Sequence, residues 1–153
     1  VDGKILRKGA RVFNHEYSKH SERIIKKFAH MINNNSEIPN NMRTKKFSQK
    51  VLPIKWKNCN PNITVTSLPD DYVHFSQPRS LTVREMARLQ TFPDNFVFHG
   101  PRTTGGRRRA GDPSNNFEKR DIPQYTQIGN AVPVAMARSF GKHFMKILDG
   151  KDG

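Results

Sequence analysis

Arg79-Ser80-Leu81-Thr82-Val83-Arg84-Glu85-Met86-Ala87-Arg88-Leu89-Gln90-Thr91-Phe92-Pro93-Asp94 is the stretch of this 153-residue chain that most constrains its structure. Thr82 stands where a helix N-cap belongs, and Glu85 follows three residues later. At that spacing the cap hydroxyl takes the Glu85 N–H while the carboxylate reaches back to the Thr82 N–H. Leu81 before the cap and Met86 in the second turn are placed to form a hydrophobic staple. The spacing predicts a helix running to Gln90, closed by Phe92-Pro93-Asp94, because proline cannot continue a helix and pushes its predecessor out of helical conformation. Arg84 and Arg88 repeat at helical spacing. Together with Arg79 they either pair with Glu85 and Asp94, tying the surrounding region together, or grip phosphates.

Upstream, residues 51–56 and 63–68 are short β-prone runs separated by the turn-like Asn58-Cys59-Asn60-Pro61, and they predict two paired or neighbouring strands. Further back, Ile24, Ile25, Phe28, Met31 and Ile32 recur at helical spacing after Ser21, and Asn33-Asn34-Asn35 ends the pattern. Between these lies a polar, lysine-bearing connection with Pro39. Ala10, Val12 and Phe13 suggest one short strand or extended segment.

Downstream, residues 96–98 read as a short strand and residues 100–120 as a long loop rich in Gly, Arg, Asn and Pro, without apolar period. The last element begins at Asn130, with Pro133 favouring a helix start. Val134, Ala137, Phe140, Phe144, Ile147 and Leu148 then share one face, and Gly150 ends it.

Lys and Arg total 27 against 13 Asp and Glu, a formal charge of +14, which points to a polyanionic partner, nucleic acid first. The hydrophobic fraction of 34% is low for a compact globule, so part of the chain is expected to be loop or to bury its apolar face against something outside it. No apolar run approaches membrane-spanning length, and a soluble protein is expected. Cys59 is the only cysteine, which excludes an internal disulfide and any multi-cysteine metal site. Six histidines are scattered without HxxxH or HxH pairs, so no metal site is expected. The chain opens on Val1 with no signal-peptide pattern, and reads as a piece of a longer protein.

Two segments carry a family resemblance. The stretch 79–94 resembles the ninth of the ten sequence motifs of DNA (cytosine-5-)-methyltransferases, and Gln127-Ile128-Gly129-Asn130-Ala131-Val132-Pro133 resembles the tenth. Pro61-Asn62-Ile63-Thr64-Val65-Thr66 is similar to the Thr-plus-aliphatic pair that closes the recognition region in that family. The family's glycine-rich cofactor motif, Pro-Cys nucleophile motif and Glu-Asn-Val motif are not found in the sequence. The resemblance therefore implies the target-recognition end of such an enzyme, with no catalytic residue in this chain and a missing N-terminal catalytic domain as partner. Cys59, flanked by Asn58 and Asn60, lacks the Pro-Cys order and is not read as the nucleophile.

What the resemblance implies is an α+β protein. A small mixed recognition domain, residues 1–120 with the ninth motif at 79–94, is followed by a segment, 121–153, whose terminal helix packs on a Rossmann-like cofactor domain. The implied parent reaction moves a methyl group from S-adenosyl-L-methionine to C5 of a cytosine flipped out of double-stranded DNA. It also implies a cytoplasmic bacterial monomer of a restriction-modification system. By position, Asn130, Ala131 and Val132 are candidates for cofactor contact, since a helix N-terminus presents N–H groups that suit a carboxylate. Thr64 and Val65 are candidates near the flipped base. Arg107, Arg108 and Arg109, after Gly105-Gly106, present guanidinium forks to phosphates or guanine edges. The competing reading is a non-enzymatic basic DNA-binding module.

Overall fold

The computed structural model describes residues 9, 11–43, 49–58, 65–66, 68–102 and 122–150. Its regular elements in chain order are α1 (Glu22–Asn33), β1 (Lys50–Val51), β2 (Tyr72–Val73), α2 (Val83–Leu89), α3 (Gln124–Gly129) and α4 (Val134–Leu148). Single 3-10 turns occupy Asn40–Met42, Ile54–Asn58 and Pro69–Asp71. Helices joined to a very small sheet give a mixed architecture compatible with the expected α+β class.

Helix α1 forms where the apolar spacing predicts it. Phe28 and Met31 are buried, and with Val73 they make a small core against which Ile24, Ile32, Ile38 and Val51 pack. The helix ends at Asn33, and Asn35 and Ser36 then take positive φ, turning the chain back toward β1.

The sheet differs from expectation. β1 pairs in parallel with β2, Lys50 opposite Tyr72 and Val51 opposite Val73, while Val65, Thr66 and Leu68, the described residues of the 63–68 run, belong to no strand. The physical reason lies at Pro53, which has no N–H for a ladder and whose carbonyl instead accepts the Trp56 N–H, so the expected strand winds into a 3-10 turn after two residues. Residues 61–64 and 67 lie outside the described residues.

Around α2 gathers the main core: Leu52, Val65, Leu81, Val83, Met86, Ala87, Phe98, Tyr125 and Ile128. Both halves of the capping box at Thr82 and Glu85 are present, and Leu81 and Met86 are buried in this one cluster, as the staple requires. The helix stops at Leu89, before Pro93 is reached. Phe92 N–H donates to the Ala87 carbonyl and Thr91 N–H to the Arg88 carbonyl, both at 2.9 Å, a Schellman close with Thr91 in the left-handed position at φ 61°.

Neither residues 96–98 nor the described residues Val12 and Phe13 form a strand. Phe98 sends its N–H to Asn14 Oδ1 at 3.0 Å and receives Asn14 Nδ2 on its carbonyl at 2.9 Å, so one buried side chain does what a ladder neighbour would have done. Val12 and Phe13 run into a turn at Asn14, whose φ is 61°. Helix α3 has no counterpart in the sequence-based expectation. It fastens to α2 through Tyr125 and Ile128, and the Tyr125 hydroxyl donates to the Leu81 carbonyl at 2.8 Å. Burial raises the Tyr125 pKa to about 12, so the phenol stays a donor. The terminal helix begins at Val134 instead of Asn130, because α3 occupies the residues up to Gly129 and leaves a turn between the two.

Candidate DNA and cofactor interface

The three arginines of the 79–94 stretch are committed internally. Arg79 meets Glu85 in two hydrogen bonds of 2.7 Å while its guanidinium lies 4.1 Å from the centre of the Tyr17 ring. Arg88 pairs with Asp94 through bonds of 2.9 and 2.8 Å. Arg84, fully buried, donates to the carbonyls of Phe13 at 3.0 Å, Pro93 at 3.1 Å and Phe96, gathering the chain at Phe13 and the 93–96 turn onto α2. Among the alternatives open in the sequence, the tying role is the one these residues perform.

Three histidines surround the Arg79–Glu85 pair. His74 Nε2 lies 3.8 Å from Glu85 Oε1, and its Nδ1 accepts the backbone N–H groups of Ser76 and Gln77 at 3.2 and 3.1 Å. His20 Nε2 accepts the Ser80 N–H at 3.2 Å, and His15 Nδ1 lies 2.9 Å from the Thr82 hydroxyl. Burial lowers the pKa of His74 and of His20, with the Arg79 charge adding to the effect in both. For Glu85, burial works to raise the pKa. Hydrogen bonds from Arg79 and the Thr82 N–H, with the charges of Arg79 and His74, outweigh it and hold the carboxyl below its ordinary range.

At the other end of α2 the chain meets the second motif. Asn130, Ala131 and Val132 form the turn between α3 and α4, with Asn130 and Val132 exposed and Ala131 half-buried. The first amides of α4 are already occupied. Val134 N–H donates to the Gln90 carbonyl at 3.1 Å and Ala135 N–H to Thr91 Oγ1 at 2.8 Å. A carboxylate arriving at this point would therefore be met by the turn, with the Asn130 side chain at its surface, and not by those helix amides. The turn presents the exposed Asn130 side-chain amide beside Ala131 and the exposed Val132.

Val65 is buried at 4% exposure with its side chain in the α2 core, and its N–H donates to Gln90 Oε1 at 3.3 Å. Thr64, Arg107, Arg108, Arg109 and Cys59 lie outside the described residues. Among the described residues no group of three or more His, Cys, Asp or Glu stands together to hold a metal, and no helix is long and apolar enough to cross a membrane.

Sequence reading missed Gln90 and Thr91 as organising residues. A signal was present. Val83, Met86 and Ala87 mark the buried face of α2, and Gln90 continues it at helical spacing, a polar residue in an apolar register that must find buried partners.

Helix α4 presents the opposite situation. None of its fifteen residues is buried, and Met136, Phe140, Phe144, Met145, Ile147 and Leu148 are all exposed, from 44% at Met136 to 80% at Leu148. A contiguous apolar face of this kind marks an interaction surface.

Comparison with known proteins gives the family of the chain. Residues 3–146 match the C-5 cytosine-specific DNA methylase family. The type II methyltransferase M.DdeI of Desulfomicrobium norvegicum is 33% identical over an alignment covering 90% of this chain and 34% of that protein. M1.HphI of Haemophilus parahaemolyticus is 30% identical, over 89% of this chain and 32% of its own length. M.AquIB of Picosynechococcus is 28% identical, over 94% of this chain and 98% of its own length. The chain thus spans about a third of M.DdeI and M1.HphI and nearly all of M.AquIB. No solved structure matches it. With a family match that runs almost from end to end, and with both family-like segments joined at the α2–α3–α4 junction, the chain belongs to the C-5 cytosine-specific DNA methylases.

Proposed function

We propose that this chain is the DNA-recognition and C-terminal part of a cytosine-5 methyltransferase, and that the nucleophile and most of the S-adenosyl-L-methionine pocket are supplied by a Rossmann-like catalytic domain outside these residues. The observation that carries the reading is α4, a fifteen-residue helix with an apolar face and nothing buried, leaving directly from the turn that resembles the family's tenth motif. Burial of that face on the catalytic domain brings Asn130, Ala131 and Val132 to the edge of the cofactor pocket. Within the 121–153 segment, α3 holds to the α2 core while α4 reaches away from it.

In this arrangement the cofactor supplies an electrophilic methyl group for C5 of a cytosine rotated out of duplex DNA. This chain's residues bind and orient. Asn130 to Val132 wall the amino-acid end of the cofactor. Arg107, Arg108 and Arg109 hold the DNA, by phosphate charge and by guanidinium forks suited to guanine edges. With Val65 held in the core, the contact of the Thr64-Val65 pair with the DNA falls to Thr64.

Incubation with labelled S-adenosyl-L-methionine and mixed-sequence duplex DNA tests the reading. The chain by itself is expected to transfer no label, and label is expected at cytosine C5 when the catalytic domain is present, on the same polypeptide or added as a second chain. Methyl transfer by the 153 residues alone, or none in either arrangement, overturns it.

A further inference from the structure

Gln90 is 1% exposed and closes α2 at its C-cap, where its side-chain amide is bonded in three directions. Oε1 accepts the Val65 N–H at 3.3 Å, while Nε2 donates to the carbonyls of Ile128 at 3.2 Å and Ala131 at 2.9 Å. Its own backbone carbonyl accepts the Val134 N–H at 3.1 Å, so the residue also holds the first turn of α4. The partners fix the amide's orientation, because only the NH2 end can meet two carbonyls and only the oxygen can meet an N–H. Next to it Thr91 keeps a positive φ, uncommon for a β-branched residue, and its hydroxyl takes the Ala135 N–H at 2.8 Å. Two consecutive residues at the end of one helix thus hold the segment entering from Val65 and the turn entering α4.

We propose that Gln90 is a positioning residue for methyl transfer: its side-chain amide sets the Ile128–Ala131 turn and the Val65 segment at a fixed separation, keeping the cofactor-side and DNA-side contacts in register. The inference rests on the proposed function, and it assigns Gln90 no contact with either ligand. An apolar side chain of similar volume would fill the same space. It would take the Gln90 partner from the Val65 N–H and the Ala131 carbonyl, leave the Ile128 carbonyl with only the Ala131 N–H at 3.1 Å, and would loosen both segments.

Two variants separate this role from packing. Gln90→Glu keeps an acceptor for the Val65 N–H but, when ionised, offers no donor to the two carbonyls, and burial favours the protonated acid, which recovers one donor. Gln90→Met keeps volume and removes all three bonds. In the enzyme assembled with its catalytic domain, Gln90→Glu is expected to raise the KM for S-adenosyl-L-methionine about tenfold at roughly pH 8, with kcat and the Kd for DNA little changed, and to recover toward the parent at roughly pH 6. Gln90→Met is expected to raise that KM at every pH and to weaken DNA binding as well. Hydrogen exchange on the 153-residue chain should show faster exchange at Val134 and Ala135 in both variants, and at Val65 only in Gln90→Met. The proposal is overturned if both variants shift KM equally without pH dependence, or if exchange at these amides matches the parent. Should the parent enzyme fail to methylate cytosine, the proposed function falls, and the exchange measurements still decide whether Gln90 holds the two segments.

Discussion

The Arg79 guanidinium and the Glu85 carboxylate lie in a fork-to-fork pair, two bonds of 2.7 Å with only 8% and 17% of their side chains exposed. The same carboxylate closes the capping box of α2 by accepting the Thr82 N–H at 2.9 Å. One acid therefore orders a helix start, neutralises a buried cation and faces His74.

Acid should unfold the chain in two stages. The folded pKa values of His20 and His74 are lowered, so their contribution to stability is present above the unfolded histidine value of about 6.5 and is lost as pH falls through the folded values. Glu85 and Asp94 are also lowered, and their contribution is present above unfolded values of about 4 and lost as pH falls further. Urea unfolding across a pH series should show a first decline in the histidine window and a second in the carboxylate window. Gln in place of Glu85 should cost roughly 3 kcal/mol at neutral pH, by leaving Arg79 without its counter-charge, and should flatten the second decline. An unaltered second decline in that variant would refute the assignment.

Arg84 should not tolerate lysine. Its three nitrogens are matched to three carbonyls from two stretches of chain, and an ammonium on a flexible stem cannot reproduce that planar fork. Arg84→Lys is expected to lower stability by about 2 to 3 kcal/mol in denaturant unfolding, from carbonyls left unpaired in the interior. A change under about 0.5 kcal/mol, the range of an ordinary surface substitution, would mean the guanidinium is replaceable.

At Thr91 two effects oppose each other. Thr91→Val keeps the branched side chain at positive φ and removes the hydroxyl that takes the Ala135 N–H, so it should destabilise by about 1 kcal/mol. Thr91→Gly removes the same hydrogen bond but also relieves the backbone, and should fall closer to the parent. Thermal melts that rank glycine below valine would show that the backbone carries no strain worth relieving.

Much of α2 was legible because its rules are local. A cap, a box, a staple and a stop all lie within sixteen consecutive residues, and the cap, box and staple form where the spacing puts them. The partner of β1 was not legible, because Pro53 cut the expected strand short and the replacement came from Tyr72-Val73, beyond the next apolar run. Asn14 was equally hidden. Its bonds to Phe98 span 84 positions, and no local pattern marks an asparagine that will stand in for a strand. Of the candidate site, the Asn130 to Val132 turn is marked by its motif, whereas Gln90, which holds it, required knowing that the end of α2 and the start of α4 would meet.

Arg107, Arg108 and Arg109 are expected to dominate the ionic part of DNA binding. Replacing all three with Ala should lower the slope of log affinity against log salt by roughly 0.9 for each phosphate that is no longer neutralised. Fluorescence anisotropy with a labelled duplex at several salt concentrations measures this directly. A parent and triple variant with parallel slopes would place the phosphate-binding groups elsewhere.

The apolar face of α4 gives the sharpest separation between folding and function. Phe140 and Phe144 are 55% and 58% exposed, one helical turn apart, so placing Glu at both takes no buried side chain out of this chain's core. Stability of the 153-residue chain should therefore move by less than about 0.5 kcal/mol in chemical denaturation. On the catalytic domain the same two charges would enter an apolar interface without partners, and assembly should fail, read as absence of a heavier species in sedimentation and absence of label transfer to DNA. Conservative replacement by Leu at both positions should preserve assembly, because volume and polarity are nearly kept. If the double Glu variant assembled as well as the parent, this face of α4 would not be the docking surface, and the turn ahead of it would need another route to the cofactor.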